Sequence, residues 1–265
     1  MLPLISEAYF PDNNNPDSLN NKASINKQYL KSYYLDSRDF FTSPFKWDKN
    51  EWILATGITA TTVLLITQDK KLYDYVQDKR SNTSDTISKY FIEPWGSGVY
   101  SMPTMCLFYL HGSFFKNERS KKVALLGVKS YLLSGVFVQI PKYLFNRHRP
   151  YHGDIPNPNI WDGPFTGDYF KSFVSGHTTS IFAVATIVAS EYDDNLIVPI
   201  LSYSIAGMSA LSRVNDNKHW VSDVFAGAFF GYAIGKLIYN QNNWKINVSP
   251  YKSHDSAGIT LQKEF

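Results

Sequence analysis

The chain has a single cysteine, Cys106, so no internal disulfide can form. That thiol sits in an apolar run, which assigns it a packing role and leaves the redox compartment open. Net charge is also small: 26 Lys and Arg against 23 Asp and Glu leave +3, too little to argue for a nucleic-acid partner. Leu-rich spans are missing, and mean hydropathy is −0.25. A membrane-crossing helix needs about twenty predominantly apolar residues, and several runs here are shorter or carry Thr, Ser, Tyr and Lys. Residues 1–8 lack the basic and long apolar regions of a complete signal peptide, although their small-residue ending fits the remnant of one. Strand alternation and internal repeats are absent from residues 52–240.

What remains is a chain of apolar helical runs. With 44% hydrophobic and 16% aromatic residues, 265 residues suffice for one domain with a sizeable core. Residues 1–50 read as a polar arm: 9–35 are rich in Asn, Asp, Ser, Lys and Tyr without periodicity, which predicts irregular structure, and Phe40 to Trp47 place four rings around Pro44. Uncharged runs at 52–68 and 94–115, a third at 123–145 broken only by Lys129 and Lys142, and later segments ending near Ser190, Leu211 and Tyr239 predict six helices over 51–240. In the tail, 241–265, Trp244, Ile246 and Val248 alternate with polar residues, as do Ile259 and Leu261, the pattern of a β-hairpin. The fold class is therefore all-α, a six-helix bundle with an irregular N-terminal arm and a hairpin-like tail.

Three clusters carry chemistry. In Ser212-Arg213-Val214-Asn215-Asp216-Asn217-Lys218-His219-Trp220-Val221-Ser222-Asp223, His219 and Asp223 are four apart at the opening of a helix. That spacing puts both on one face, where Asp223 can hold one ring nitrogen of His219 and leave the other free. Arg213 is a fixed cation whose planar fork suits phosphate oxygens. Upstream, Lys142 and Arg149 are seven apart, two helical turns, before Pro150 stops the helix. Ser172 to Ser180 form a Ser/Gly/Thr turn leading into an apolar run, a helix N-terminus whose N–H groups favour anions. Each cluster alone also fits a surface pair, a solvated basic helix end or an ordinary Ser cap. Loop 151–171 lies between two of them, as a substrate-selecting rim or a plain connection.

Together and in this order, the clusters resemble the signature of the type 2 phosphatidic acid phosphatase and vanadium haloperoxidase superfamily: Lys-x6-Arg-Pro, Pro-Ser-Gly-His and Ser-Arg-x5-His-x3-Asp. Val174 stands where the family usually has Pro. The resemblance implies a metal-independent phosphatase with no cofactor, acting through a phosphohistidine on His219. Asp223 would orient His219, and His177 would protonate the leaving oxygen and later activate water. Lys142, Arg149, Ser175, Gly176 and Arg213 would hold the phosphate. Arg147 and His148 fall outside the pattern, Arg147 as a supporting or headgroup contact and His148 as a bystander.

Substrates compatible with the resemblance are a lipid phosphate (phosphatidic acid, phosphatidylglycerol phosphate, an isoprenyl diphosphate or lipid A) or a soluble phosphoester. The alternatives are a soluble periplasmic acid phosphatase, a phosphotransferase, a vanadate-dependent haloperoxidase and a non-catalytic scaffold. An up-down bundle brings segments 142–177 and 212–223 to one pole and the basic linker 116–122 to the other. The bundle is expected to be membrane-associated in a bacterial-type cell envelope, with a water-soluble periplasmic bundle as the alternative, and positive charge inside then puts the catalytic pole on the extracytoplasmic face. The sequence leaves the oligomeric state unread.

Overall fold

A computed structural model of the chain describes residues 23–166, 170–242, 245–252 and 257–264. The expected signal-peptide remnant at 1–8 lies outside them. Eight helices of seven residues or more occur among the described residues, where six were expected: α1 Lys27–Thr42, α2 Lys49–Lys79, α3 Ser101–Phe114, α4 Glu118–Phe137, α5 Gln139–Phe145, α6 Gly176–Glu191, α7 Ile197–Asn215 and α8 Val221–Asn242. Lys245–Lys252 and Ala257–Glu264 pair as antiparallel strands.

Helix α1 replaces part of the expected irregular arm. Asn26 caps it by accepting from the Tyr29 N–H at 2.8 Å, and its inward face is polar. Ser32 and Asp36 receive Lys129 Nζ at 2.8 and 2.7 Å, Asn242 Oδ1 receives it at 3.2 Å, and the Tyr29 hydroxyl donates to the Leu125 carbonyl. Below them Phe40 stacks on Phe137 at 4.1 Å. The docked face mixes the rings of Tyr33 and Phe40 with buried Ser32, Asp36 and Asp39, so the polar composition of this stretch hides the helical spacing of its rings.

Helix α2 also outruns its expected end at Gln68. An Asp48/Glu51 capping box starts it, and it continues through Asp69-Lys70-Lys71 because Asp69 points inward, fully buried, while Lys70 pairs outward with Asp74 at 2.6 Å. The expected run 94–115 is divided. A short turn, Glu93–Gly96, precedes Gly98 at φ +94°, and α3 begins only at Ser101.

Helix α6 is the centre, packed between α4, α7 and α8. Leu126, Leu133 and Phe137 of α4, Ala183 and Ile187 of α6, and Ile234 and Ile238 of α8 form the largest buried cluster. A Cβ added at Gly227 would come within 2.9 Å of the Ser175 carbonyl, and one at Gly235 within 2.7 Å of the Ala183 carbonyl. The contacts advance together along both helices, so α6 and α8 run parallel at close approach and their N-termini share one pole. At the opposite pole Arg119 donates to the Glu191 carbonyl (2.9 Å) and to Asp194 (3.1 Å). Among the described residues, the segments Glu118–Phe145, Ile197–Asn215 and Val221–Asn242 are long and apolar enough to cross a membrane.

Candidate active site

The shared pole gathers the three clusters, with local geometry that differs from the helical spacing. Helix α7 ends at Asn215, Asn217 turns left-handed (φ 60°), and the Arg213 carbonyl accepts the N–H groups of Lys218 (2.9 Å) and His219 (3.2 Å). His219 therefore sits in the turn, two residues before α8. Asp223 is the third residue of α8, and its Oδ2 reaches back to the Trp220 N–H at 3.0 Å, half of a capping box.

The expected direct His219–Asp223 hydrogen bond is consequently absent: Nδ1 and Oδ2 are 3.6 Å apart. The Ser172 hydroxyl joins them, donating to Asp223 Oδ2 at 2.5 Å and lying 3.4 Å from His219 Nδ1. Asp223 Oδ1 accepts from Arg147 Nη1 at 2.7 Å. Arg147 is wholly buried, which excludes the headgroup contact. Its guanidinium also binds Asp69 Oδ2 (2.7 Å), the Ser222 hydroxyl (2.7 Å) and the Pro158 carbonyl (3.0 and 2.9 Å). Asp69 in turn accepts the Ser222 N–H at 3.0 Å. An aspartate from α2, an arginine from the loop and an aspartate from α8 thus form one desolvated ion triad beneath His219.

Lys142 and Arg149 do not share a helix. Asn146 at φ 41° ends α5 in the left-handed conformation, and Arg147 bridges to Trp161 in extended structure. Both cations still converge on the Lys171 carbonyl, Lys142 Nζ at 2.7 Å and Arg149 Nη2 at 3.5 Å, while Arg149 Nε donates to the Phe170 carbonyl at 3.0 Å. Asn146 Oδ1 holds that segment by accepting the Phe170 N–H at 2.9 Å. His148 is a bystander to the site, paired with Asp162 at 2.7 Å.

Ser175 precedes α6 as its cap residue, with its N–H on the Asp223 carbonyl (3.0 Å) and its hydroxyl accepting from Thr178 (3.0 Å). A Cβ at Gly176 would stand 3.4 Å from Lys142 Cε, so the start of α6 faces that lysine. Arg213 Nη2 pairs with Asp216 at 2.5 Å, and its Nη1 lies 3.6 Å from Glu93 Oε1. The same Glu93 oxygen is 2.8 Å from His177 Nε2. Every predicted site residue is therefore at this pole, joined by Glu93, Asp69, Ser172 and Arg147, to which the motifs gave no catalytic role. Glu93 had one local signal, a lone carboxylate heading an otherwise uncharged run; Asp69 had none, because its partners are far along the chain.

Burial above all lowers the His219 pKa to about 3; Asp223 opposes the shift, and the Lys142 and Arg149 cations reinforce it. The imidazole is thus neutral at ordinary pH, as a nucleophile requires. His177 is also lowered, first by burial and then by Arg213, with Glu93 opposing. In an unfolded chain a histidine titrates near 6.5. Between that value and about 3 the unfolded state binds a proton that folded His219 refuses, so this contribution to stability falls as pH drops through the window and is intact above it. A His219→Gln protein should show a flatter decline in chemical-denaturation stability from pH 6.5 downward than wild type.

A PAP2 superfamily model matches residues 123–247, which carry all three clusters. The chain is 32% identical over 142 residues to a lipid A 1-phosphatase of Porphyromonas gingivalis, covering 52% of this chain and 28% of that protein. It is 34% identical over 111 residues to a probable diacylglycerol pyrophosphate phosphatase 1 of Schizosaccharomyces pombe, covering 37% and 38%. It thus spans well under half the length of these relatives. Two solved structures share the fold, each with a TM-score of 0.50. Aquifex aeolicus LpxE is 23% identical, with 64% of this chain and 93% of that one aligned; a transmembrane PAP2 type phosphatidylglycerolphosphate phosphatase of Bacillus subtilis is 18% identical, with 69% and 92% aligned. With parallel α6 and α8 presenting His177 and His219 to one cationic pole, residues 123–247 of this chain, which contain all three clusters, are similar to the PAP2 superfamily.

Proposed function

We propose that the chain is a phosphoric ester hydrolase that removes phosphate from a lipid phosphate, without a metal cofactor, through a phosphohistidine on His219. The observation that carries this reading is a neutral, buried His219 tethered through Ser172 to Asp223 and faced by Lys142 and Arg149. Phosphoryl transfer depends mainly on positioning and on stabilising the charge on the equatorial oxygens. Lys142, Arg149 and Arg213 supply that charge, and the Gly176 N–H at the start of α6 supplies a donor. His219 attacks phosphorus while His177 gives its proton to the departing oxygen. In the second step His177 takes a proton from water, which displaces His219 and releases phosphate.

A lipid substrate is favoured over a soluble ester by the three membrane-length helices and by relatives named for lipid phosphates. The linker 116–122, with four cations against one carboxylate, is at the pole opposite the site, which favours an extracytoplasmic active site. The test is phosphate release by purified protein from phosphatidic acid, lipid A, an isoprenyl diphosphate and 4-nitrophenyl phosphate, with and without a chelator. Release from a lipid member, undiminished by chelation, is expected. Release only from the aryl ester, or loss in chelator restored by a divalent ion, contradicts the reading.

A further inference from the structure

Glu93 is a site carboxylate that the proposed reaction leaves unused. It lies on the short turn between α2 and α3, and that turn is built to present it. Pro94 is buried behind it, and Trp95 packs into the cluster of Ile181, Ala185 and Ala206. A Cβ at Gly96 would come within 3.1 Å of His177 Cβ and 3.2 Å of the His177 carbonyl, so the turn sits tight against α6. The result is a carboxylate 2.8 Å from His177 Nε2 and 3.6 Å from Arg213 Nη1.

Resting on the phosphatase reading above, we propose that Glu93 is the positioning residue of the general acid: it holds the His177 ring through Nε2, so that Nδ1 is the nitrogen that serves the leaving oxygen. In the first step the His219–phosphorus bond forms, the bond from phosphorus to the ester oxygen breaks, and the Nδ1 proton passes to that oxygen. The neutral ring keeps its Nε2–H on Glu93. In the second step Nδ1 takes a proton from water, the water oxygen bonds to phosphorus, the His219–phosphorus bond breaks, and the ring is again an imidazolium.

The charges around His177 give Glu93 a second consequence. Arg213 from α7 and Lys142 from α5 disfavour the imidazolium, and Glu93 opposes them. Neutralising Glu93 leaves two cations unopposed, so the acid is lost at lower pH.

The experiment compares wild type, Glu93→Gln and Glu93→Asp on phosphatidic acid, whose alkoxide needs a proton to leave, and on 4-nitrophenyl phosphate, whose phenolate needs little help. For Glu93→Gln, kcat on phosphatidic acid falls by about tenfold or more, a share of the 10²–10⁴-fold that a general acid contributes. The loss on the aryl ester is much smaller, and the basic limb of the phosphatidic acid pH profile moves down by about one unit. Glu93→Asp, which keeps the charge, holds the limb near its wild-type position. Equal losses on both substrates, or an unshifted limb in Glu93→Gln, overturn the proposal and leave the phosphatase reading standing. A wild-type protein that hydrolyses neither ester overturns both.

Discussion

His219→Ala lowers phosphate release by on the order of 10⁴-fold or more, the largest effect expected of any substitution in the chain. The loss is in kcat, since Lys142, Arg149 and Arg213, the cations proposed to hold the phosphate, stay in place and KM changes little. On the proposed phosphohistidine route, removing the nucleophile leaves only the contribution of positioning and charge. Asp223→Asn has a smaller effect through a different route. It disturbs the Ser172 bridge that orients the ring and leaves Arg147 with one carboxylate where it had two. Steady-state kinetics on one lipid phosphate separates the two variants, and far-ultraviolet circular dichroism shows whether the bundle is intact.

Arg147→Met is the second. The guanidinium is wholly buried and holds Asp69 and Asp223, each fully buried, at 2.7 Å. Deleting one partner of a buried ion pair costs about 3–5 kcal/mol, because the partner left behind is desolvated and unpaired. Here two carboxylates are stranded. Unfolding in denaturant should show a loss at the upper end of that range, and activity should fall with it because Asp223 no longer has its anchor. Adding Asp69→Asn to Arg147→Met should recover part of the stability but none of the orientation of His219, a non-additivity that a double-mutant cycle measures.

The two predictions differ in how far the sequence anticipates them. His219, His177, Lys142, Arg149 and Arg213 are legible because the spacing inside each motif is local. Their convergence follows from helices α6 and α8 running parallel, with their N-termini at one pole. The backbone that achieves it is less legible. Lys142 and Arg149 look like neighbours on one helix, yet the left-handed Asn146 ends that helix and a loop carbonyl reunites them. His219 and Asp223 look like an i, i+4 pair, yet His219 precedes the helix and Ser172 fills the gap.

Buried charge is the least legible feature of all. Asp69 lies in Asp69-Lys70-Lys71, a stretch with the local appearance of a helix end, and its partners are 78 and 153 positions away. Asp36 and Lys129 repeat the pattern in α1 and α4, 93 positions apart. A charge compensated at such range leaves no trace in hydropathy or periodicity, so α1 reads as an irregular polar arm although it is a docked helix. Glu93 is intermediate: a lone carboxylate before an apolar run is visible, but its meeting with His177 depends on how Gly96 and Trp95 seat the turn against α6.

The covalent intermediate on His219 is the centre of this account, and rapid acid-free quenching of turnover with ³²P-labelled phosphatidic acid tests it most directly. The expected result is a protein-bound phosphoryl group that is stable in alkali, lost in acid, mapped to the peptide containing His219, and absent from His219→Ala. Steady turnover with no trapped label, accompanied by inversion of configuration at phosphorus, would mean direct attack by water and would contradict it.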